Sequence, residues 1–361
     1  MSDGTTPDVT SGAVWTATND ALPLLPAVAS VLTGGLTPGV ATGLNLGKSD
    51  ITAAYTVAGV ITTSPAKGAI LTVNPVVLVL GPGPAGGVIL PKEIAPYGLI
   101  AYDAITDASG SIVICSHLYG DVALVEPASA GGTIASVVGK GFNDITGTPL
   151  KSTCVTNSDG THPGVIDAAN NGTLTGTQLA NLLTEMKSVF DDLNQRAAPS
   201  TALTTPASVA ALPVNGGGGT FTPAFSSPDL SGYVFIPGIY TTNGTYGLSD
   251  TNGPLILDAQ GNSDAVFIIR STASGASGLT STNGSVVLQN GAQAKNVFWV
   301  VDNLTLGAGT FFQGTVVSGH VITLGAGTNV EGRMWTGGLV PTTGGSGALT
   351  LTGTNVITVP K

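Results

Sequence analysis

The sequence predicts an all-β protein: a triangular β-solenoid with one flanking α-helix, preceded by a small β-rich N-terminal region. Three observations carry this reading. An 18-residue register near the C-terminus sets NLTLGAGTFFQGTVVSGH, from Asn303, directly before VITLGAGTNVEGRMWTGG, from Val321. It lays Leu304 on Ile322, Thr305 on Thr323, Leu306 on Leu324, Thr310 on Thr328, Gly314 on Gly332 and Val316 on Met334. Such self-similarity marks stacked copies of one supersecondary unit. A step of this length divides into three short strands with turns, one coil whose backbone is satisfied only by the coils above and below. Composition agrees: 52 Gly and 22 Pro punctuate turns, 42% of residues are apolar and only 9% are charged, which is neither collagen nor a disordered chain. Finally, one convincing helical pattern stands alone among many short β-like runs.

In chain order, residues 1–94 alternate apolar runs with Gly/Pro/Thr turns, in VWTATND, GVATGLNLG and ITAAYTVAGVITTSP. They read as strands of a small sandwich or as extended arms, and as a candidate assembly region. The apolar stretch AILTVNPVVLVLGPGPAGGVIL, from Ala69, reaches membrane-spanning length. Pro75, Pro82, Pro84 and four glycines break it, so strands are the better reading and no membrane span is expected. Residues 95–361 form the solenoid domain. Its first strands, APYGLIAYDAIT, SIVICSHL and DVALVEP, precede a helix over 177–196. That helix carries Leu179, Leu182, Leu183, Met186, Val189, Phe190 and Leu193 on one face. Thr175 with Gln178 makes a capping box, and Pro199 ends the segment. A one-sided apolar stripe of this kind should lie along the solenoid wall. A Gly/Pro/Ser-rich link, VNGGGGTFTPAFSSP, leads to YVFIPGIYTT and the repeats. A further copy starts at Ser285, and a last one, with an insertion, at ALTLTGTNV.

Charge and chemistry exclude several functions. A net charge of −10 with 11 Lys plus Arg offers no basic stripe to phosphates, so nucleic acid is not expected as a partner. So little surface charge suits a protein that contacts another surface. GPGPAGG at 81–87 is no phosphate loop: its prolines remove amide donors and no G-K-[ST] follows. Asp191 and Asp192 are helix neighbours on a solvated face. Asp258 and Asp264 are turn formers, with a Ca²⁺ loop as the alternative. His117, His162 and His320 show neither metal spacing nor a triad order, and Cys115 with His117 is at most half a metal site. The expectation is therefore no enzyme, no metal and no cofactor. Cys115 and Cys154 admit one disulfide, suited to an oxidising exterior, with two buried thiols as the alternative. The expected location is extracellular or at the cell surface. No signal peptide is legible before LPLLPAVASVL, which leaves a processed form or a route without a cleaved signal. Asn171, Asn243, Asn283 and Asn303 sit in glycosylation sequons; the first three, as NG pairs, equally read as turns.

The strings FIPGIY at 235–240, LDAQGNSDAVFII at 257–269, NGAQAKNVFWVV at 290–301 and LGAGTFFQGTVVSGHVITLGAGTNVEGRM at 306–334 resemble the ice-binding-like β-solenoid family. The helix before FIPGIY is also in the family's order. The likeness is strong over about 230–360 and loose over 95–200, and residues 1–94 have no counterpart in it. It implies a right-handed triangular solenoid of irregular coil order with a helix alongside, and in active members a flat face that orders water and adsorbs to ice.

Two rows suit such a face: Thr305, Thr323, Thr350, and Thr310, Thr328, Thr354. Strand alternation supports the first, because Leu304 and Leu306 must point inward if Thr305 points out. The second resembles a short Thr/Gly/Ala motif on the ice face of some family members, present here as AGT twice and TGT once. Gln313 with Glu331, and Thr315 with Arg333, put charge or long side chains on their strands. The expected function is a non-catalytic surface binder whose partner is ice or another extended surface. The alternatives are a self-assembling filament or surface-layer subunit joined by β-strand addition, and an adhesin. Thr is also favoured on any exposed β-surface.

Overall fold

The computed structural model describes residues 14–19, 29–31, 41–43, 47–57, 60–63, 69–73, 87–109, 114–126, 133–139, 142, 144–147, 150–169, 174–198, 202–203, 218–221, 228–272, 278–339 and 346–361. Up to residue 73, and at 202–203 and 218–221, this description is of strand backbone alone. The chain divides into two compact units, Met1–Val79 and Leu80–Lys361. In the first, strand Gly47–Val57 runs antiparallel to Val14–Asn19 along one edge and to Val60–Thr63 and Ala69–Val73 along the other. Ala29–Val31 pairs antiparallel with Ala41–Gly43. The apolar stretch from Ala69 thus begins as a strand, and its residues 74–86 lie outside the described residues.

The second unit includes Val88, Leu90 and the fully buried Ile94, which pack into the core beneath the helix. It is a parallel β-solenoid with three walls. One wall has ten strands, in stack order Ala202–Leu203, Gly218–Phe221, Gly238–Thr242, Phe267–Ser271, Val297–Val301, Thr315–Ser318, Met334–Thr336, Tyr97–Ala101, Asp121–Leu124 and Ile166–Asp167. The second has seven: Tyr246–Ser249, Gly278–Thr282, Asn303–Leu306, Ile322–Leu324, Ala348–Leu351, Ala104–Asp107 and Val137–Val138. The third consists of Val234–Phe235, Leu255–Asp258 and Val286–Gln289. These are bridged through Ser285 and Phe311 to Phe311–Gln313, Asn329–Glu331, Val356–Thr358, His117–Tyr119 and Val155–Thr156.

Stack order departs from chain order. The coil of 97–119 sits on the C-terminal coil, through pairing of Leu99 with Met334, Ile105 with Leu349 and Leu118 with Ile357. Inside the stack, like falls on like: Leu304, Ile322, Leu349 and Ile105 form one buried row, Phe312 and Val330 part of another. Each such side chain contributes about 1.5–3 kcal/mol by burial. Close stacking explains the repeated glycine of the register, since a Cβ at Gly332 would overlap the Gly314 carbonyl oxygen of the coil below.

Helix α1 (Gly176–Gln195) begins with the expected capping box: Thr175 accepts from the Gln178 amide, and Gln178 accepts from the Thr175 amide. Its stripe of Leu182, Met186, Phe190 and Leu193 packs on Ile268, Phe298, Val317 and Trp335 of the ten-stranded wall. The far end is held by a residue the sequence did not flag. The Arg270 guanidinium donates to the Leu193 and Asn194 carbonyls at 3.0 and 2.7 Å and to Thr241 Oγ1 at 3.1 Å. A cation there also complements the negative end of the helix dipole.

Cys115 and Cys154 form a disulfide across 39 residues, with a Cα separation of 6.1 Å. It ties the coil of Ser116 and Leu118 to the terminal strand Val155–Thr156. Replacing both cysteines by serine should lower the unfolding free energy of this unit by about 2–4 kcal/mol in a denaturant titration.

Candidate functional site: the threonine wall

The seven-stranded wall turns one residue type outward on five consecutive strands. Thr280 pairs with Thr305, Thr305 with Thr323, Thr323 with Thr350 and Thr350 with Thr106. Period-two alternation produces this, because the flanking Leu304 and Leu306, Ile322 and Leu324, and Leu349 and Leu351 are all buried. The five threonines are exposed or half-exposed, and none of their side chains takes part in a hydrogen bond among the described residues. At parallel-strand spacing the column is about 19 Å long. It ends on Gly247 at one side and on Val138 at the other.

The flanking outward positions are small or uncharged. Ala104 aligns with Ala348, Gly278 with Asn303, and Asn303 Oδ1 accepts from the Val321 amide at 3.2 Å. On the other side stand Thr282, Gly307, Gly325 and Thr352. At the end of this wall Asp229 is bridged to Gly247. Partial burial acts to raise its pKa, yet hydrogen bonds from the Ser249 hydroxyl and amide and the Ser231 amide hold it below the usual carboxylate value.

The second row does not lie on a surface. Thr310 and Thr328 are 0% and 1% exposed. Thr310 Oγ1 donates to the Gly307 carbonyl at 2.9 Å, and Thr328 Oγ1 to that of Gly325 at 2.7 Å. The row continues into buried Asn355 rather than Thr354: Asn355 Oδ1 accepts from the Thr328 amide, while exposed Thr354 aligns with Gly327. In the AGT strings only the threonine turns inward: Ala308, Gly309, Ala326 and Gly327 are exposed, while the Thr310 and Thr328 hydroxyls close the turns they sit in. Thr305, Thr323 and Thr350 remain as candidate contacts. Thr280 and Thr106 join them, and sequence reading missed both. Thr280 pairs with Thr305 across 25 residues rather than the 18 of the sequence register, and Thr106 reaches the column only through the non-sequential coil order. The signal was present in AITD, which carries the same apolar–Thr alternation as NLTL.

The other walls differ. The ten-stranded wall is covered in part by helix α1, and Thr315 and Arg333 are buried there, the guanidinium donating to the Ala95 carbonyl at 2.9 Å. The third wall presents Phe311, 59% exposed, with Asn329 and His117, and Glu331 among its outward residues. Among the described residues no group of three or more His, Cys, Asp or Glu could hold a metal. Asp258 instead accepts from the Gln260 amide and from Asn290 Nδ2. His320 Nδ1 contacts Asp302 Oδ1. No helix among the described residues is long and apolar enough to cross a membrane.

The pattern of ice-binding-like proteins matches residues 126–343, more than half of the chain. The chain belongs to the ice-binding-like family. Solved structures similar to it include an ice-binding protein from the Antarctic ascomycete Antarctomyces psychrotrophicus, 20% identical, with a TM-score of 0.51 over 76% of this chain and 99% of that one. An ice-binding protein domain from Shewanella frigidimarina is 22% identical, with a TM-score of 0.55 over 76% and 99%. An ice-binding protein with antifreeze activity from an Arctic yeast is 16% identical, with a TM-score of 0.52 over 75% and 94%. Likenesses at this identity show a shared fold. No protein of curated function matches the sequence. This ice-binding-like chain extends the matched region with the coil of 97–119, which supplies Thr106 to the threonine wall.

Thiol accessibility separates the two rows. Cysteines placed at Thr305 or Thr323 should react with a maleimide in the native protein about as fast as in the unfolded chain. At Thr310 or Thr328 the reaction should be about a hundredfold slower or more, limited by local opening.

Proposed function

We propose that this protein is a non-catalytic, extracellular ice binder that adsorbs through the threonine wall. One observation carries the reading: five outward threonines in register on five consecutive parallel strands, with no charged side chain on the outward positions of those strands. Ice is a rigid, repeating lattice, so a binder gains from a rigid surface with a fixed repeat. β-Branched side chains on strands have few rotamers, which keeps each methyl and hydroxyl in place without much loss of entropy on contact. The hydroxyls hold ordered water at each strand step while the methyls exclude disordered solvent. A charged group would instead hold its own hydration shell, and the third wall carries one at Glu331. Membership of the ice-binding-like family supports the same reading, and the disulfide favours an oxidising compartment outside the cytoplasm.

Filament formation by strand addition draws less support. The central strand of the first unit is paired along both edges by strands of its own unit. One end of the solenoid is closed by a hairpin, with Thr156 bridged to Pro163 and the Asn157 amide donating to the His162 carbonyl. Adhesion to another extended surface would use the same flat wall and is distinguished by the assay.

The test is inhibition of ice recrystallisation by the purified protein. The wild type should inhibit it. Thr323→Tyr, at the centre of the column, should raise the concentration needed by about tenfold, equivalent to about 1.4 kcal/mol of adsorption, while Phe311→Tyr on the third wall leaves it unchanged. Wild-type protein without effect on ice would contradict the proposal.

A further inference from the structure

Behind the threonine wall runs a second, buried ladder made by the same five coils. Thr280 is followed by Ser281, whose hydroxyl is 2.9 Å from Thr310 Oγ1 of the coil of Thr305. Thr310 Oγ1 donates to the Gly307 carbonyl. In the coil of Thr323, Thr328 Oγ1 donates to the Gly325 carbonyl and reaches Gly307 of the neighbouring coil at 3.2 Å. In the coil of Thr350, Asn355 accepts from the Thr328 amide and donates to the Gly353 carbonyl at 2.9 Å. In the coil of Thr106, Ser116 Oγ lies 3.0 Å from the Gly353 carbonyl oxygen and 3.2 Å from Asp107 Oδ1, which share its one proton. Asp107 also accepts the Ser109 and Ser116 amides, both at 3.0 Å. All six side chains are buried.

Two features set this ladder apart from ordinary turn chemistry. Each coil that places a threonine on the outer column places a polar group on the inner ladder. The carbonyls it engages, at Gly307, Gly325 and Gly353, belong to the turns that leave the threonine strands two or three residues after Thr305, Thr323 and Thr350. These glycines are half-buried, and the Gly307 and Gly325 carbonyls accept the Thr310 and Thr328 amides only at 3.4 and 3.3 Å, so the shorter bonds from the Thr310 and Thr328 hydroxyls favour one conformation of each turn. Glycine alone at such a corner would leave the backbone free.

We infer that Thr310, Thr328 and Asn355, linked to Ser281, Ser116 and Asp107, are positioning residues for the threonine wall: they hold the turns after Thr305, Thr323 and Thr350 from inside, and so fix the spacing of the binding surface. The inference rests on the proposed ice-binding function for its activity readout and on the ladder's geometry alone for its exchange readout.

The decisive variant is Thr328→Val, which keeps the shape and removes the hydroxyl. Amide hydrogen exchange at Gly327 and Thr328 should accelerate about tenfold, with exchange in the ten-stranded wall unchanged, and inhibition of ice recrystallisation should weaken. Thr328→Ser, which restores the hydroxyl, should return both to wild-type values. Thr323→Tyr should weaken inhibition about tenfold without altering exchange. Wild-type exchange in Thr328→Val, or acceleration spread evenly over all walls, overturns the inference. If the valine variant does not fold, the serine variant decides: wild-type exchange supports the hydroxyl as the working group, and accelerated exchange refutes it. If the wild-type protein leaves ice unaffected, the function proposal fails, while the exchange pattern still judges the ladder.

Discussion

Everything in the solenoid depends on the parallel hydrogen-bond ladder that joins each coil to the next in fixed register. A single coil cannot satisfy its own amides and carbonyls, so folding requires neighbours, and the neighbours must align residue for residue. The alignment is enforced from inside. Leu304, Ile322, Leu349 and Ile105 stack in one buried row, and a slip of one residue would expose the row and bury the threonines beside it. The outer column is therefore a by-product of the inner row: once the aliphatic side chains are packed, Thr305, Thr323, Thr350 and Thr106 have only one direction left.

The same constraint explains the helix and the order of the coils. The ten-stranded wall carries apolar residues on both faces, including Phe298, Val300 and Trp335 on the outside. Left to water, that face would expose a large apolar patch. Helix α1 covers it, and Arg270 pins the helix terminus to the wall. The coil of 97–119 covers the open edge left by the C-terminal coil, so the last strands of the chain are flanked on both sides. With one wall partly covered by the helix and another bearing Phe311 and Glu331, the threonine wall is left with no charged side chain outward on its five threonine strands.

Much of this was legible in the sequence, where the determining interactions repeat or are local. The 18-residue register made the pairing of Thr305 with Thr323 readable because it reports strand spacing directly. The capping box and the stripe of α1 were readable because a helix is fixed by neighbours three and four residues apart. The position of Thr310 and Thr328 was not readable. A repeat reports that two residues are equivalent and says nothing of whether they face the core or solvent, and at a coil corner strand alternation no longer applies. Only their short bonds to the Gly307 and Gly325 carbonyls reveal an inward orientation. Thr106 was missed for a different reason: its neighbour in space, Thr350, is supplied by the opposite end of the unit. Arg270 escaped notice because a single arginine in a strand carries no local sign of the helix end it caps.

The central claim is that distant segments of the chain build one continuous column of outward threonines. Spin labels at Thr106 and Thr280, measured by pulsed dipolar spectroscopy, test it most directly. These positions are the two ends of the column, four strand steps apart through Thr350, Thr323 and Thr305. The account predicts a single narrow distance distribution corresponding to a backbone separation of about 19 Å. A broad distribution, or one centred at a clearly longer distance, would contradict it, because the coil of Thr106 would then not lie on the coil of Thr350.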